Sequence, residues 1–351
     1  MGELAKKAGC TAAWVSQIES GLRRLSADSA APFAAALGVS VAFLTGADLE
    51  VTATPVQFRH VRSTKAAQRD RVTAGAAMVQ HVVALMRAHQ RLHNKLDLPT
   101  FSGAEPPEPE AAAAKVRDHW FVGSGVIPDL TGLLESWGAW VFTLPAEDRV
   151  VDAYSWWSRE DAFIASNPIA LDPGVSVAGD GPRNAYRERF SLAHELGHLV
   201  MHRGLDPALV GTRAVEAEAH RFAGAFLVPA AAWLQRSPRS ARWQDYLFES
   251  ARWGVSTSVL LRRDFDLGLV PEARYRSAMI GLSATVGRRS EGSYLSPRAP
   301  EQPRRLQVAL SAWLHARAAG DPREASDAWT STLIEKVRQL VAPDPLPEPR
   351  S

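Results

Sequence analysis

The chain has 351 residues, 46% of them hydrophobic, a formal net charge of +2 and a single cysteine, Cys10. That is ample apolar sequence for two or three cored domains, and the near-neutral charge excludes strong sequence-independent nucleic-acid binding by the chain as a whole. One cysteine excludes an internal disulfide and suits a reducing compartment. With no signal peptide and no apolar run long enough for a bilayer, the expected location is cytoplasmic and no membrane partner is expected.

Residues 1–50 read as short helices. "GELAKKAGC" is a helix ending in a turn at Gly9, Thr11 opens a second helix, and two more follow after Ser26 and around Val39 to Leu44. Ala5, Gly9 and Val15 fall where two crossing helices need a small residue, a tight turn and an apolar anchor. With "VSQIESG" followed by basic residues, the segment resembles the Xre/Cro-like (phage-repressor type) helix-turn-helix. The first helix of that fold is missing ahead of Gly2, which points to a truncated domain or a start codon set too late. The resemblance implies that the second helix enters the major groove of DNA. Thr11, Trp14, Gln17 and Ser20 would face bases or backbone, and Arg23 and Arg24 would face phosphates. The charge here is modest, four basic against two acidic residues up to Leu25. A helical protein-contact domain is the competing reading.

Residues 51–100 carry eight Lys or Arg against two Asp, with four histidines. They read as amphipathic connecting helices with apolar positions at Val79, Val82, Val83 and Leu85 and a solvated basic face able to supplement phosphate contacts. "HQRLH" (His89 to His93) has two histidines four apart but no glutamate and basic neighbours, so it reads as solvated helix surface. A Pro/Glu/Ala linker follows at 101–114.

The chemistry begins with "RFSLAHELGHLVMHRG", Arg189 to Gly204. On a helix of about 100° and 1.5 Å per residue, His194 and His198 share a face roughly 6 Å apart along the axis and can converge on one ion. Glu195 is turned off that line, placed to act as a base rather than as a ligand. That is the logic of HExxH. Phe190, Leu192, Ala193, Leu196, Leu199, Val200 and Met201 make the helix a buried one, with Ser191 near its start and Gly204 past its end. A catalytic zinc needs a third protein ligand. His202 lies about 12 Å along the axis from His194, too far to share the ion, and Met201 and Gly204 stand where HExxHxxGxxH requires glycine and histidine.

"AVEAEAHRFAGAFLVP" (Ala214 to Pro229) offers carboxylates, Glu216 standing eighteen residues after His198. It reads as a helix with Ala219, Phe222, Ala223, Phe226 and Leu227 inward, closing before Pro229. Glu216 is favoured over Glu218 as ligand because it is four residues from His220, so the two can work together. Glu218 points elsewhere on the helix and, if not the ligand, is an ordinary surface carboxylate.

Taken in order, "RERFSLAHELGHLVMHR" and "EAEAHRFAGAFLVP" resemble the ImmA/IrrE family of zinc metallopeptidases. Upstream, "AAAAKVRDHWFVGSGVIPDLTGLLESWGAWVFTLP" is similar to that family's leading helices and first strand, and "VVDAYSWWSREDAFIASN" to its next strand pair. The resemblance implies a Zn2+ held by His194, His198 and Glu216, with Glu195 as catalytic base in peptide-bond hydrolysis. His220 stands where the family usually has Asn or Asp. His220 and Tyr186 are the candidates for supporting a ligand or the transition state, a packed tyrosine being the other reading of Tyr186. An extended substrate is expected along an edge strand, with "EDAFIASN" (Glu160 to Asn167) as the candidate.

Beyond Pro229 the chain reads as a helical module at 237–292, then a polar helical tail at 293–351. The tail holds a Pro-rich break, helices around Leu306–Ala319 and Pro322–Val341, and a disordered "APDPLPEPRS". The whole is a multidomain, mainly α chain: an all-α helix-turn-helix, an α+β zincin-like metallopeptidase domain with a small sheet at 115–236, and a helical C-terminal region. The expected partners are DNA and a protein substrate of the repressor type, and a homodimer is allowed for. The alternative is a non-proteolytic Xre-type transcription factor whose zinc domain is a sensor or a structural element.

Overall fold

A computed structural model describes residues 2–46, 66–89, 95–99, 101, 107–143, 152–166, 185–206, 208–240, 242–285, 298–318 and 328–341. Contacts divide the chain into two compact bodies. One comprises Met1–Val51, Ala74–Leu92 and Ala309–Ala342, the other Thr52–Thr73, His93–Val308 and Pro343–Ser351. Among the described residues no helix is long and apolar enough to cross a membrane.

The first body opens with α1 (Gly2–Lys7), α2 (Ala12–Glu19), α3 (Ala27–Leu37) and α4 (Val41–Thr45). Each of the last three starts at a hydroxyl cap: Thr11, Ser26 and Ser40 accept from the backbone N–H three residues on. Gly9 makes the α1–α2 turn at φ +66°, a backbone region that favours glycine. Ala5, Ala8, Val15 and Phe33 form the small core, with Trp14, Ile18, Leu25 and Leu44 packed against it. The long helix α5 (Ala66–His89) enters this body from Ala74 and buries Ala76, Val79, Val82, Val83 and Met86; of the apolar positions expected, Val79, Val82 and Val83 are buried and Leu85 is only half-buried.

The second body runs through α6 (Pro109–His119), α7 (Leu130–Ser136), β1 (Trp140–Thr143), β2 (Ala153–Ser158), β3 (Asp161–Ser166), α8 (Ala185–Met201), α9 (Arg213–Leu227) and α10 (Ala230–Trp233). A 3-10 turn (Trp243–Tyr246), α11 (Leu247–Trp253), α12 (Thr257–Asp266) and α13 (Glu272–Thr285) follow. The sheet order is β1-β3-β2, with β3 parallel to β1 and antiparallel to β2. The segment expected to offer substrate an edge is therefore the central strand. Its run of buried residues from Ala162 to Ser166 reflects neighbours on both sides. β2 flanks it and packs on α8.

Three boundaries differ from the sequence reading. Helix α6 starts at Pro109, inside the segment assigned as linker, because Pro fits the first helical turn and Glu108 caps it by accepting from the N–H groups of Glu110 and Ala111. Helix α8 starts at Ala185, well before Ser191. The 237–292 helices share one core with the HELGH helix: Trp243, Tyr246, Trp253, Leu260, Leu261 and Leu282 cluster with Leu192, Leu196, Phe222 and Phe226.

The tail is not simply polar. Helix α14 (Arg305–Ala318) buries Leu306, Leu310 and Trp313, and α15 (Ala328–Val341) buries Leu333, Ile334 and Val337. Within the first body α15 is tied to the amino-terminal helices. The Ser40 N–H donates to Thr332 Oγ1 at 3.2 Å, the Ser40 hydroxyl to the Ala328 carbonyl at 3.0 Å, and Lys336 Nζ to the Leu37 carbonyl at 3.1 Å. "APDPLPEPRS" and much of "HQRLH" lie outside the described residues.

Candidate metal centre

Helices α8 and α9 pack closely because of Gly197. A Cβ there would stand 3.0–3.3 Å from Cδ1, Cγ and Cβ of Phe222. That contact brings Glu216, in the first turn of α9, against the histidines of α8. His194 Nε2 and His198 Nε2 are 3.1 Å apart. Glu216 Oε2 lies 3.5 Å from His194 Nε2, and Glu216 Oε1 lies 3.9 Å from His198 Nε2. Ligand atoms of the three lie within 4.8 Å of one another. Donors held about 2.0–2.1 Å from a tetrahedral ion stand roughly 3.3 Å apart. The spacing and the His, His, Glu donor set therefore fit a zinc ion that keeps a fourth position open.

The electrostatics suit the same reading. Burial, and then the nearby His194, His202 and His220, hold the His198 imidazole well below its ordinary pKa, so it is neutral, as a ligand must be. Burial pushes the Glu195 carboxyl up to about 7, against the pull of His194 and of a hydrogen bond from Ser155. That bond, Ser155 Oγ to Glu195 Oε2 at 2.6 Å, holds one carboxylate oxygen. Ser155 comes from β2, is buried, and also reaches the Glu195 carbonyl at 3.2 Å. The sequence does not point to it. The only signal is a small polar residue between Tyr154 and Trp156, on the strand face that turns Trp157 Nε1 to the Leu199 carbonyl at 3.3 Å.

The other site residues divide. Glu218 is outside the three-ligand cluster, yet it is not a bare surface carboxylate, since its Oε2 lies 3.0 Å from His202 Nε2. His220 stacks edge-on against His194, centroids 4.5 Å apart, and its Nδ1 donates to the Glu216 carbonyl at 2.9 Å. It thus braces the turn carrying one ligand and lies beside another. Tyr186 is buried in the first turn of α8, two helical turns before His194.

In the first body, Thr11 caps α2, while Gln17, Ser20, Arg23 and Arg24 are exposed. Trp14 is instead engaged in packing, edge-on to Phe33 at 5.4 Å, with the Arg23 guanidinium 5.3 Å from its ring centroid.

Residues 134–263 match the family model of the IrrE N-terminal-like domain, Peptidase_M78. The match spans β1 through most of α12 and so contains every residue of the cluster. It supports a peptidase-type enzyme of a kind generally dependent on zinc. No curated protein matches the chain.

Proposed function

We propose that the chain is a DNA-binding regulator carrying a zinc-dependent endopeptidase, and that its substrate is a regulatory protein of the repressor type. The observation that carries the reading is the convergence of His194, His198 and Glu216 beside a buried Glu195 whose carboxylate is held by Ser155. A zinc ion bound by these three side chains supplies a Lewis acid that acidifies water and polarises the scissile carbonyl. Ser155 fixes one oxygen of Glu195, leaving the other to take a proton from the attacking water and return it to the leaving amine. His220, beside His194, donates its one N–H to the Glu216 carbonyl and so steadies the turn that carries a ligand, a supporting role rather than an oxyanion donor. β2 packs on α8 and, among the described residues, borders the sheet on the side away from β1, so it replaces β3 as the strand against which an extended substrate would lie.

The DNA-binding half rests on the α1–α2 pair, with Thr11 capping α2, and on the exposed Gln17, Ser20, Arg23 and Arg24. Co-expression with repressors encoded nearby tests the whole. Cleavage by the wild-type protein that disappears in Glu195→Gln is expected. An intact repressor, with regulation unchanged by Glu195→Gln, would leave a non-proteolytic transcription factor.

A further inference from the structure

Behind the three ligands lies a second line of polar side chains. His198 Nδ1 and His202 Nδ1 are 2.9 Å apart, and His202 Nε2 lies 3.0 Å from Glu218 Oε2. The His202 side chain is fully buried, that of His198 is 3% exposed, and that of Glu218 is 39% exposed. The line therefore runs from the solvent edge of α9 into the core and ends on a ligand. His202 follows His198 by one helical turn, which puts both rings on one stripe.

The donors along this line can be assigned by elimination. An ionised carboxylate only accepts, so His202 Nε2 carries a proton and donates it to Glu218. A neutral His202 then has a bare Nδ1, which must accept, and the donor facing it is Nδ1–H of His198. That leaves His198 Nε2 without a proton, turned toward His194 Nε2 and Glu216. We propose that Glu218 and His202 form a hydrogen-bonded relay that fixes the tautomer and ring orientation of His198 and so presents its Nε2 lone pair to the metal. The proposal rests on the zinc-site reading above and adds two positioning residues to it. His194 has no such support: its Nδ1 is buried without a hydrogen-bond partner. The relay therefore makes His198 the preorganised member of the pair. Without Glu218, His202 is free to carry its proton on Nδ1. His198 would then have to accept there and move its own proton to Nε2, the atom that should bind.

The test is zinc affinity of the full-length protein, measured by competition with a chromophoric chelator. Partners behind a ligating imidazole typically matter by about 10–100-fold in affinity. Glu218→Ala should weaken zinc binding by that order, and His202→Phe, which keeps the buried volume, should match it. Glu218→Gln, whose amide oxygen still accepts, should lose less. In the zinc-free protein, nitrogen-15 NMR should show His198 protonated at Nδ1 and bare at Nε2, and a mixture in Glu218→Ala. Wild-type protein that binds no zinc would sink the site reading itself. Wild-type protein that binds zinc, with Glu218→Ala and His202→Phe both within about threefold of it, would overturn the relay alone. So would a His198 ring bare at Nδ1, or variants that only lower the thermal midpoint of the zinc-free protein.

Discussion

The Ser155 hydroxyl donates to Glu195 Oε2 at 2.6 Å across the β2–α8 interface, both residues buried. A buried carboxylate without a donor is expensive, and a base free to rotate spends less time aligned. Ser155→Ala is therefore expected to lower kcat on quenched fluorescent peptides by about tenfold while zinc content stays at the wild-type level. A variant with unchanged kcat would show that Glu195 needs no support from the sheet.

Gly197 carries the approach of α8 to α9. In Gly197→Ala the new methyl meets Phe222, which is fully buried and cannot swing into solvent. The expected cost is about 1–3 kcal/mol in chemical denaturation, with weaker zinc binding because Glu216 is pushed off the imidazoles. Gly197→Ala paired with Phe222→Leu should recover part of both.

Asp264, fully buried on α12, accepts from Trp233 Nε1 at 2.6 Å, from the Ser237 hydroxyl and from the Tyr246 hydroxyl at 2.5 Å. These bonds join the helices after α9 to one another, far in sequence from HELGH but within the same core. Asp264→Ala strands the Trp233 Nε1–H, while the Tyr246 hydroxyl keeps the Ser240 carbonyl at 2.8 Å, and should destabilise the protein by roughly 1–3 kcal/mol. A loss under half of that in urea titration would mean that the donors find other partners.

For the amino-terminal helices, Arg23→Ala and Arg24→Ala should each weaken DNA binding evenly across sequences and reduce the slope of log affinity against log salt by about one. Footprinting the protein on its own promoter region supplies the DNA probe, and no protected site there would contradict the proposed DNA binding. Because Trp14 packs on Phe33, Trp14→Ala should unfold this small core rather than alter base preference alone.

HELGH could be read in the sequence because a helix fixes the relation of residues four apart, and the EAEAH helix because its apolar stripe is regular. The choice of Glu216 over Glu218 followed from its spacing to His220, and the structure brings Glu216 to the histidines. Ser155, the central place of β3 and the His202–Glu218 contact could not be read this way. Each depends on how one element is registered against another, and period-2 or period-3.6 patterns say nothing about that. Helix spacing sets His202 too far along the axis from His194 to share its ion, but spacing alone does not show that His202 contacts His198. The tail helices misled because their buried positions, such as Leu333 and Val337, are few among polar neighbours.

The most direct measurement is the metal content of the purified full-length protein and of three single variants, His194→Ala, His198→Ala and Glu216→Ala. The wild type is predicted to carry about one zinc per chain, and each variant almost none, with helical content retained. A folded wild-type protein without zinc, or a Glu216→Ala variant that keeps the full complement, would contradict the centre on which the proposed hydrolase depends.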